Sequence, residues 1–282
     1  MRKSLQAELR AAQAVAANAG LGDIQPEILK LAHHTTVRLA PTDVVARIQT
    51  RDNADDPKLF RELMVGSHLA SRAAPAVRPA ANVNPGPHFE GGCAITLWQL
   101  VAGRPAADGD AIPAASALQH VHRALDDMRI PLPPFTLAFE SCERILDAEA
   151  EAPMLGASDR LFLQELYREL RQDLDGRDLR CRPLHGDAHL GNVLVTTAGA
   201  IWLDLDDVCM GPIEWDVACL PRDAWSQFDR IDRNLTQLLA DLRSLCVSLW
   251  CWADFERNAD TRQAAVNHLN ALKARFGDSA AT

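Results

Sequence analysis

The sequence predicts an α+β fold with two lobes that meet near residue 100, a small β-rich N-terminal lobe and a larger, mainly helical C-terminal lobe. The chain has 282 residues, of which 48% are hydrophobic and 24% charged, so it can bury a sizeable core. Apolar and β-branched runs over 27–49 and 93–103 are typical of strands. Most of the remainder has helical periodicity. A strand-rich part followed by a helix-rich part indicates the α+β class.

The N-terminal segment is predicted to be the first helix. Its basic residues and alanine-rich tail give it a faint likeness to a signal peptide, but Glu8 and Arg10 interrupt any apolar core there. Four apolar residues repeat instead at helical spacing: Leu5, Leu9, Ala12 and Ala16.

Turn-forming residues divide the next part of the chain. His33-His34 and Pro41-Thr42-Asp43 break the run 27–49 into strands. Leucines at helical spacing and Pro57 predict a helix over 57–73. Beyond the strand at 93–103, helical patterns cover 114–127, 140–149, 158–174 and 234–256.

The bulk composition excludes several classes of function. A formal charge of −9 and the lack of a basic cluster argue against nucleic-acid binding, and this charge is compatible with a cationic substrate. No run of about 18 apolar residues exists, so no membrane span is expected. The seven cysteines include no CxxC pair and lie mostly in apolar surroundings. They indicate reduced, buried thiols in a cytoplasmic protein. Nothing in the sequence indicates an oligomeric state.

The stretch LHGDAHLGNVLV (184–195) carries the clearest chemical motif. The motif His185-Gly186-Asp187 is followed, after four further residues, by Asn192. This spacing between aspartate and asparagine is that of a kinase catalytic loop. Such a loop aims one carboxylate at a substrate hydroxyl and a neutral oxygen ligand at a metal. Mg²⁺ prefers hard oxygen ligands, which asparagine and aspartate supply.

A hairpin is predicted directly after this loop. Val193–Val195 and Ala200–Leu203 read as strands around a turn at 197–199, and the second strand leads into Asp204. The return strand is expected to bring Asp204 close to Asn192. Asp206 lies two residues further on and is therefore expected to point the same way on the strand, which makes it a second-choice ligand.

The segment from Leu184 to Leu220 resembles the aminoglycoside phosphotransferase family of small-molecule kinases, which share a protein-kinase-like fold. The resemblance implies that Asp187 is the catalytic base and that Asn192 and Asp204 bind Mg²⁺. It further implies that Asp216 is a buried aspartate that braces the catalytic loop.

A weaker resemblance extends over most of the chain. Val44–Arg47 is similar to the strand whose basic residue holds the ATP phosphates, and Glu62 would be the ion-pair partner of Arg47. The backbone of Gln99, Leu100 and Val101 would bind adenine. The family's division implies a nucleotide-clamping lobe over 1–98, a hinge over 99–104 and a helical lobe over 105–282 with the catalytic loop and the substrate cleft.

Two departures from protein kinases affect nucleotide binding. Arg47 stands where protein kinases have lysine, and its fork geometry differs from a lysine point charge. The nucleotide loop has His33, His34, Thr35 and Thr36 in place of glycines. A degenerate loop motivates an alternative, a catalytically weak kinase-like protein that binds a nucleotide or another small molecule.

Blander interpretations stand beside the functional ones. His-Gly-Asp could be a turn with a capping aspartate, and Arg47 and Glu62 could be an ordinary surface pair. Gly186–His189 also matches the GDxH of metallophosphoesterases, but these enzymes need further histidines downstream and His268 is the only one left. His185 and His189 are expected to brace the loop by hydrogen bonds.

The sequence as a whole therefore predicts an ATP-dependent phosphotransferase, with GTP as a second possible donor, that acts on a hydroxyl of a small molecule. The substrate could be an antibiotic, an amino alcohol or a sugar-like metabolite, and no motif in 221–282 decides among them. Asp187, Asn192 and Asp204 are expected to converge on one open pocket between the lobes, which Arg47 approaches from the smaller lobe.

Overall fold

The computed structural model describes residues 3–31, 34–51 and 56–277. The chain divides into two compact units. The first comprises Met1–Ile130 with His189–Val208, and the second Pro131–Ala188 with Cys209–Thr282.

The first unit contains a five-stranded antiparallel sheet with the strand order β1-β2-β3-β5-β4. Its strands are β1 (Gln25–Leu31), β2 (Thr35–Ala40), β3 (Val44–Thr50), β4 (His88–Glu90) and β5 (Cys93–Gln99). Helix α1 (Lys3–Asn18) precedes the sheet, and α2 (Asp56–Ser71) follows β3. Both predicted helices of this region and the strands within 27–49 are confirmed. The strand predicted over 93–103 ends at Gln99, and β4 is a strand that the sequence did not indicate.

One face of this sheet packs against α1. Alternate side chains of β2, β3 and β5 are buried there together with one face of the helix: Val37, Leu39, Ala46, Ile48, Ile95 and Leu97, with Ala11, Ala12, Val15 and Ala16. Because side chains alternate along a strand, Arg47 lies on the opposite face from Ala46 and Ile48. The core of the first unit thus directs Arg47 away from α1.

A second, three-stranded sheet completes the first unit. It contains β6 (Arg104–Pro105), β8 (Val193–Thr196) and β9 (Gly199–Trp202) in the order β6-β8-β9, and it packs near α3 (Ala111–Leu125). The predicted hairpin is present as β8 and β9. Trp202, fully buried, donates from Nε1 to the Ala114 carbonyl over 3.1 Å.

This packing explains why the compact units differ from the lobes implied by the resemblance. Residues 105–130 and 189–208 group with the N-terminal part of the chain, because α3 packs against both β9 of the hairpin and α2. The predicted lobes of 1–98 and 105–282, with a hinge at 99–104, remain a functional prediction.

The second unit is mainly helical. Its helices are α4 (Leu137–Asp147), α5 (Ala157–Asp175), α6 (Ile213–Val217), α7 (Arg233–Ala253) and α8 (Ala259–Phe276), and its strands β7 (Cys181–Leu184) and β10 (Cys209–Pro212) pair antiparallel. Leucines of α7 form the centre of its core. The helical patterns at 140–149, 158–174 and 234–256 correspond to α4, α5 and α7.

Helix α8 was not predicted. Asn258 caps its N-terminus by accepting from the Thr261 amide over 2.8 Å. The helix buries only Ala265, Leu269 and Leu272, a stripe too sparse for periodicity to reveal. It is held by packing on α7, which a local pattern does not report.

The cysteines agree with the sequence prediction in part. None of the seven forms a disulfide, and Cys93, Cys142, Cys209 and Cys246 are buried. Cys181 is exposed. In the described part of the chain, every helix is too short or too polar to cross a membrane.

Candidate active site

The loop that carries Asp187 is braced from α6 in the second unit. Asp216 is fully buried and accepts hydrogen bonds from the amides of His185 and Gly186, each over 2.8 Å. Trp215 donates from Nε1 to the Gly186 carbonyl over 2.9 Å. Gly186 has φ +87°, a conformation that favours glycine because a Cβ would be strained there. The motif Gly-Asp therefore places Asp187 directly after a fixed turn.

Loss of this brace should destabilise the second unit. Asp216→Ala leaves two buried amides without their acceptor, each costing about 1–3 kcal/mol, so we expect a loss of roughly 2–6 kcal/mol in the free energy of unfolding. Urea denaturation would measure it. Asp216→Asn keeps one acceptor oxygen and should lose less, and equal losses in the two variants would contradict the bracing role.

Asp187 itself is held by α7. Its carboxylate forms an ion pair with the Arg243 guanidinium, through Oδ1 and Nη2. The side chains are 21% and 13% exposed, respectively. The Asp187 amide donates to Nδ1 of His185 over 3.4 Å, in line with the bracing role predicted for that histidine. Asp187 is thus a partly exposed carboxylate with a fixed cationic neighbour.

The first unit holds the residues predicted to bind metal. Asn192 is buried, and its backbone carbonyl accepts from the Leu203 amide over 2.8 Å, so the hairpin returns beside its start. His189 braces the turn before Asn192, since its Nδ1 accepts from the Gly191 amide over 3.0 Å. The residue after Leu203 is Asp204, with φ +62°.

The backbone at Asp204 corrects one step of the sequence reasoning. Strand β9 ends at Trp202 and Asp204 is left-handed, so the alternation used to place Asp206 on the same side does not apply. The two carboxylates nevertheless meet, because both contact the guanidinium of Arg47. A turn, rather than a continued strand, brings them together.

Arg47 lies at the centre of a cluster of charged side chains formed with Glu62, Asp204, Asp206 and Lys58. Its Nη1 pairs with Glu62 on α2, and its Nη2 lies 2.7 Å from Oδ1 of Asp204 and 3.4 Å from Oδ2 of Asp206. Lys58, one turn before Glu62 on α2, lies 3.2 Å from Asp206. Glu62 is only 1% exposed. The interpretation as an ordinary surface pair is therefore wrong, and the predicted pairing of Arg47 with Glu62 is present.

Burial and mutual repulsion shift the pKa values of this cluster. Burial raises the pKa of Glu62 to about 7 against the lowering effect of Arg47. Burial also raises the pKa of Asp204 to about 7, and the neighbouring Asp206 raises it further while Arg47 opposes it. Burial alone would raise the pKa of Asp206, but hydrogen bonding from His34 and the charge of Arg47 hold it well below its usual range. These directions favour the ionised form of Asp206 over that of Asp204, so Asp204 is the carboxylate that an added cation would stabilise more.

The donor set fits Mg²⁺ better than a transition metal. Asp204 offers a carboxylate and Asn192 an amide oxygen, both hard ligands. Within 3–31, 34–51 and 56–277, no three His, Cys, Asp or Glu side chains are arranged to hold a metal ion. A small protein ligand set suits Mg²⁺, which keeps several waters and binds substrate phosphates in such sites.

The predicted hinge offers fewer free groups than expected. The Gln99 amide donates to the Arg78 carbonyl over 2.9 Å, and the Leu100 amide to the Asp43 carbonyl over 2.8 Å. In the described part of the chain, the Val101 amide donates to no backbone carbonyl. Adenine binding by the backbone of these three residues stays a prediction, and the Val101 amide is the donor left for it.

The loop without glycines is described in part. His33 lies outside the described residues. His34 contacts Asp206, with Nε2 at 3.7 Å from Oδ2, and burial lowers its pKa. Thr35 donates to Glu8 of α1 over 2.5 Å. These two side chains therefore serve the protein's own contacts, and their expected role toward phosphate stays a prediction.

Sequence reasoning missed two cations. Lys58 precedes Glu62 by four residues, so helical spacing could have placed it on the same face. Arg243 lies in the long apolar stripe of α7, where a lone arginine among leucines is itself a signal. Its partner, however, is 56 residues away in the chain. The predicted convergence of Asp187 with Asn192 and Asp204 stays a prediction, because they belong to different compact units.

The fold and the residue sets define a protein of the kinase-like class. A family model described as the phosphotransferase enzyme family (APH) matches residues 25–246. The chain belongs to this family.

Solved structures share the fold at low sequence identity. An amicoumacin kinase, hAmiN, in complex with AMP-PNP and Ca²⁺, has a TM-score of 0.71 at 14% identity, with 98% of this chain and 96% of that chain covered. A GDP complex of aminoglycoside 2′-phosphotransferase-IIIa has a TM-score of 0.65 at 16% identity, with 95% and 99% covered.

A curated relative is similar over a shorter stretch. Thiamine kinase from Salmonella paratyphi A is 28% identical over 149 residues, which are 51% of this chain and 49% of the relative. The chain thus matches about half the length of this relative.

Proposed function

We propose that the protein is an ATP-dependent phosphotransferase that moves the γ-phosphoryl group to a hydroxyl of a small molecule. The observation that carries the proposal is the contact of Asp204, at the end of the hairpin, with the Arg47–Glu62 pair. This contact joins the residue proposed to bind metal to the residue proposed to hold phosphate. Family membership and the nucleotide-bound relatives of the same fold support it.

Each residue has a role in this proposal. Arg47 holds the nucleotide's phosphates, and Glu62 fixes the orientation of the Arg47 guanidinium. Asn192 and Asp204 hold Mg²⁺, which when bound neutralises charge on the phosphates. The Val101 amide and the neighbouring backbone of Gln99 and Leu100 receive the adenine ring.

Asp187 accepts the proton of the substrate hydroxyl. The fixed turn at Gly186 keeps its carboxylate in one orientation, so the hydroxyl is positioned as well as deprotonated. Phosphoryl transfer depends mostly on positioning and electrostatic stabilisation, for which a braced loop is suited.

A kinase-like binding protein is the second candidate. Arg47 contacts Asp204 and Asp206, and these contacts compete with phosphate and with metal. If the competition is too strong, the protein binds a nucleotide or small molecule without efficient turnover. The loop at His34 and Thr35, which lacks glycine, favours the same alternative.

Thermal unfolding with nucleotides tests the proposal. We expect Mg²⁺ with ATP or GTP to raise Tm, because a ligand that binds only the folded state stabilises it, by about 2.7 kcal/mol at 100 times Kd. EDTA should reverse the metal-dependent part of the shift. A panel of antibiotics, amino alcohols and sugars, assayed for substrate-dependent ADP release, then identifies the acceptor. A nucleotide shift without turnover of any acceptor would favour the binding protein, and the lack of a shift would contradict the kinase proposal.

A further inference from the structure

The chemical surroundings of Asp187 bear on the substrate's charge. Arg243, on α7, pairs with this carboxylate, and both side chains are partly buried. Breaking a partly buried pair leaves a poorly compensated charge and is unfavourable. An ammonium group that approached Asp187 would have to displace Arg243 or accept its repulsion. The pair therefore disfavours a substrate whose cationic group lies next to the reacting hydroxyl.

The Arg243 guanidinium is held in place by two indole rings. Its Cζ lies 5.3 Å from the centroid of Trp215 and 5.4 Å from that of Trp250. Both rings are anchored, since Trp215 donates to Gly186 and Trp250 donates to Oγ of Ser141 over 2.8 Å. Cation–π contacts with fixed rings leave the guanidinium few alternative positions. Arg243 is a preorganised cation, not a mobile surface arginine.

Part of the hydrogen-bonding capacity of Arg243 is unused. Among the described residues its polar side-chain partner is Asp187, reached through Nη2. The Nε and Nη1 atoms have no acceptor there, and neither is among the fully buried unpartnered atoms. A guanidinium has five N–H donors and no acceptor, so the remaining donors suit an anion.

We propose that Arg243 is a substrate-binding residue that receives an anionic group, a carboxylate or a phosphate, of the molecule whose hydroxyl meets Asp187. The proposal rests on the proposed function and narrows its substrate class to hydroxy compounds with a nearby negative charge. It replaces the expectation, drawn from the acidic composition, that the substrate could be cationic. The net charge of −9 describes the whole chain, whereas Arg243 determines the charge beside the base.

Binding of four matched probes tests the proposal without requiring turnover. The probes are D-glycerate, glycerol 3-phosphate, glycerol and 3-amino-1,2-propanediol, which share a hydroxylated three-carbon skeleton and differ in charge. Ligand-observed NMR measures their affinities for the full chain without nucleotide, so the result does not depend on kinase activity. We expect at least one anionic probe to bind about tenfold or more tightly than glycerol, and the amine to bind most weakly. Whichever of the two anions binds more tightly shows whether Arg243 receives a carboxylate or a phosphate.

Variants separate recognition from a merely positioning role. Arg243→Gln should remove the preference for the anions over glycerol, while Arg243→Lys should retain part of the preference. Arg233→Gln, at an exposed arginine that begins the same helix, is the matched control and should change nothing.

Three results would overturn the inference: an amine that binds wild-type protein as well as the anions do, no measurable binding of either anion, or an Arg243→Gln variant that keeps the anion preference. The nucleotide shift is measured separately on the same variants. Its absence in wild-type protein would contradict the proposed kinase function and leave the anion result standing.

Discussion

Asp187→Asn is expected to lower kcat by about 10² or more, the usual worth of a general base. The substitution keeps the size of the side chain, and its amide oxygen can still accept from Arg243. The change therefore removes proton acceptance while retaining the main contact seen in the structure. Turnover of the acceptor found in the substrate panel, measured as ADP release, gives the effect.

Nucleotide affinity serves as the control for Asp187→Asn. The residues proposed to bind nucleotide lie in the other compact unit, so the Tm shift with Mg²⁺ and ATP should hardly change. A variant that retains a tenth of wild-type turnover would rule out the role as base. Loss of turnover together with a large fall in Tm without ligand would point to a structural role instead.

Asp204→Ala is expected to abolish Mg²⁺-dependent nucleotide binding, and Asp206→Ala to weaken it by about tenfold. The difference follows from their surroundings. The Asp204 side chain is 33% exposed and can reach a metal, whereas that of Asp206 is 9% exposed and occupied by Arg47, Lys58 and His34. Isothermal titration with AMP-PNP, with and without Mg²⁺, distinguishes the two.

Asp207→Ala is the matched control for this pair. Asp207 is the next carboxylate along the chain and contacts Lys58 over 2.9 Å, but it has no contact with Arg47 among the described residues. The Asp207→Ala variant should bind nucleotide nearly as tightly as wild-type protein does. If Asp206→Ala proved more damaging than Asp204→Ala, the role of metal ligand would pass to Asp206.

Local sequence was sufficient to predict the structure where one short segment carries both the turn-forming residues and the proposed catalytic residues. The spacing from Asp187 to Asn192, and the turn between β8 and β9, are short-range features, so the loop and hairpin could be predicted together. Gly186 illustrates the reason: its positive φ is a local demand that only a few residue types meet. The resemblance to a known family rests on this same stretch.

Long-range partners were not available from local pattern. Arg243 is one of several polar residues of α7, and its pairing with Asp187 depends on how α7 packs against the loop. Asp206 was placed by strand alternation, but the strand had ended and Asp204 adopts a left-handed turn. Neither partner can be identified from nearby residues.

By itself the sequence determined the α+β class, most helices and strands of both units, and the loop from His185 to Asn192. Each of these follows from periodicity or from turn residues within a few positions. The resemblance also implied the pairing of Arg47 with Glu62. Only the tertiary structure showed which other charges meet: Arg47 with Asp204 and Asp206, and Arg243 with Asp187. The physical reason is that a buried charge must find its partner wherever packing places one. The packing of the whole core determines these pairs, and it places Arg243 next to Asp187, the proposed catalytic base.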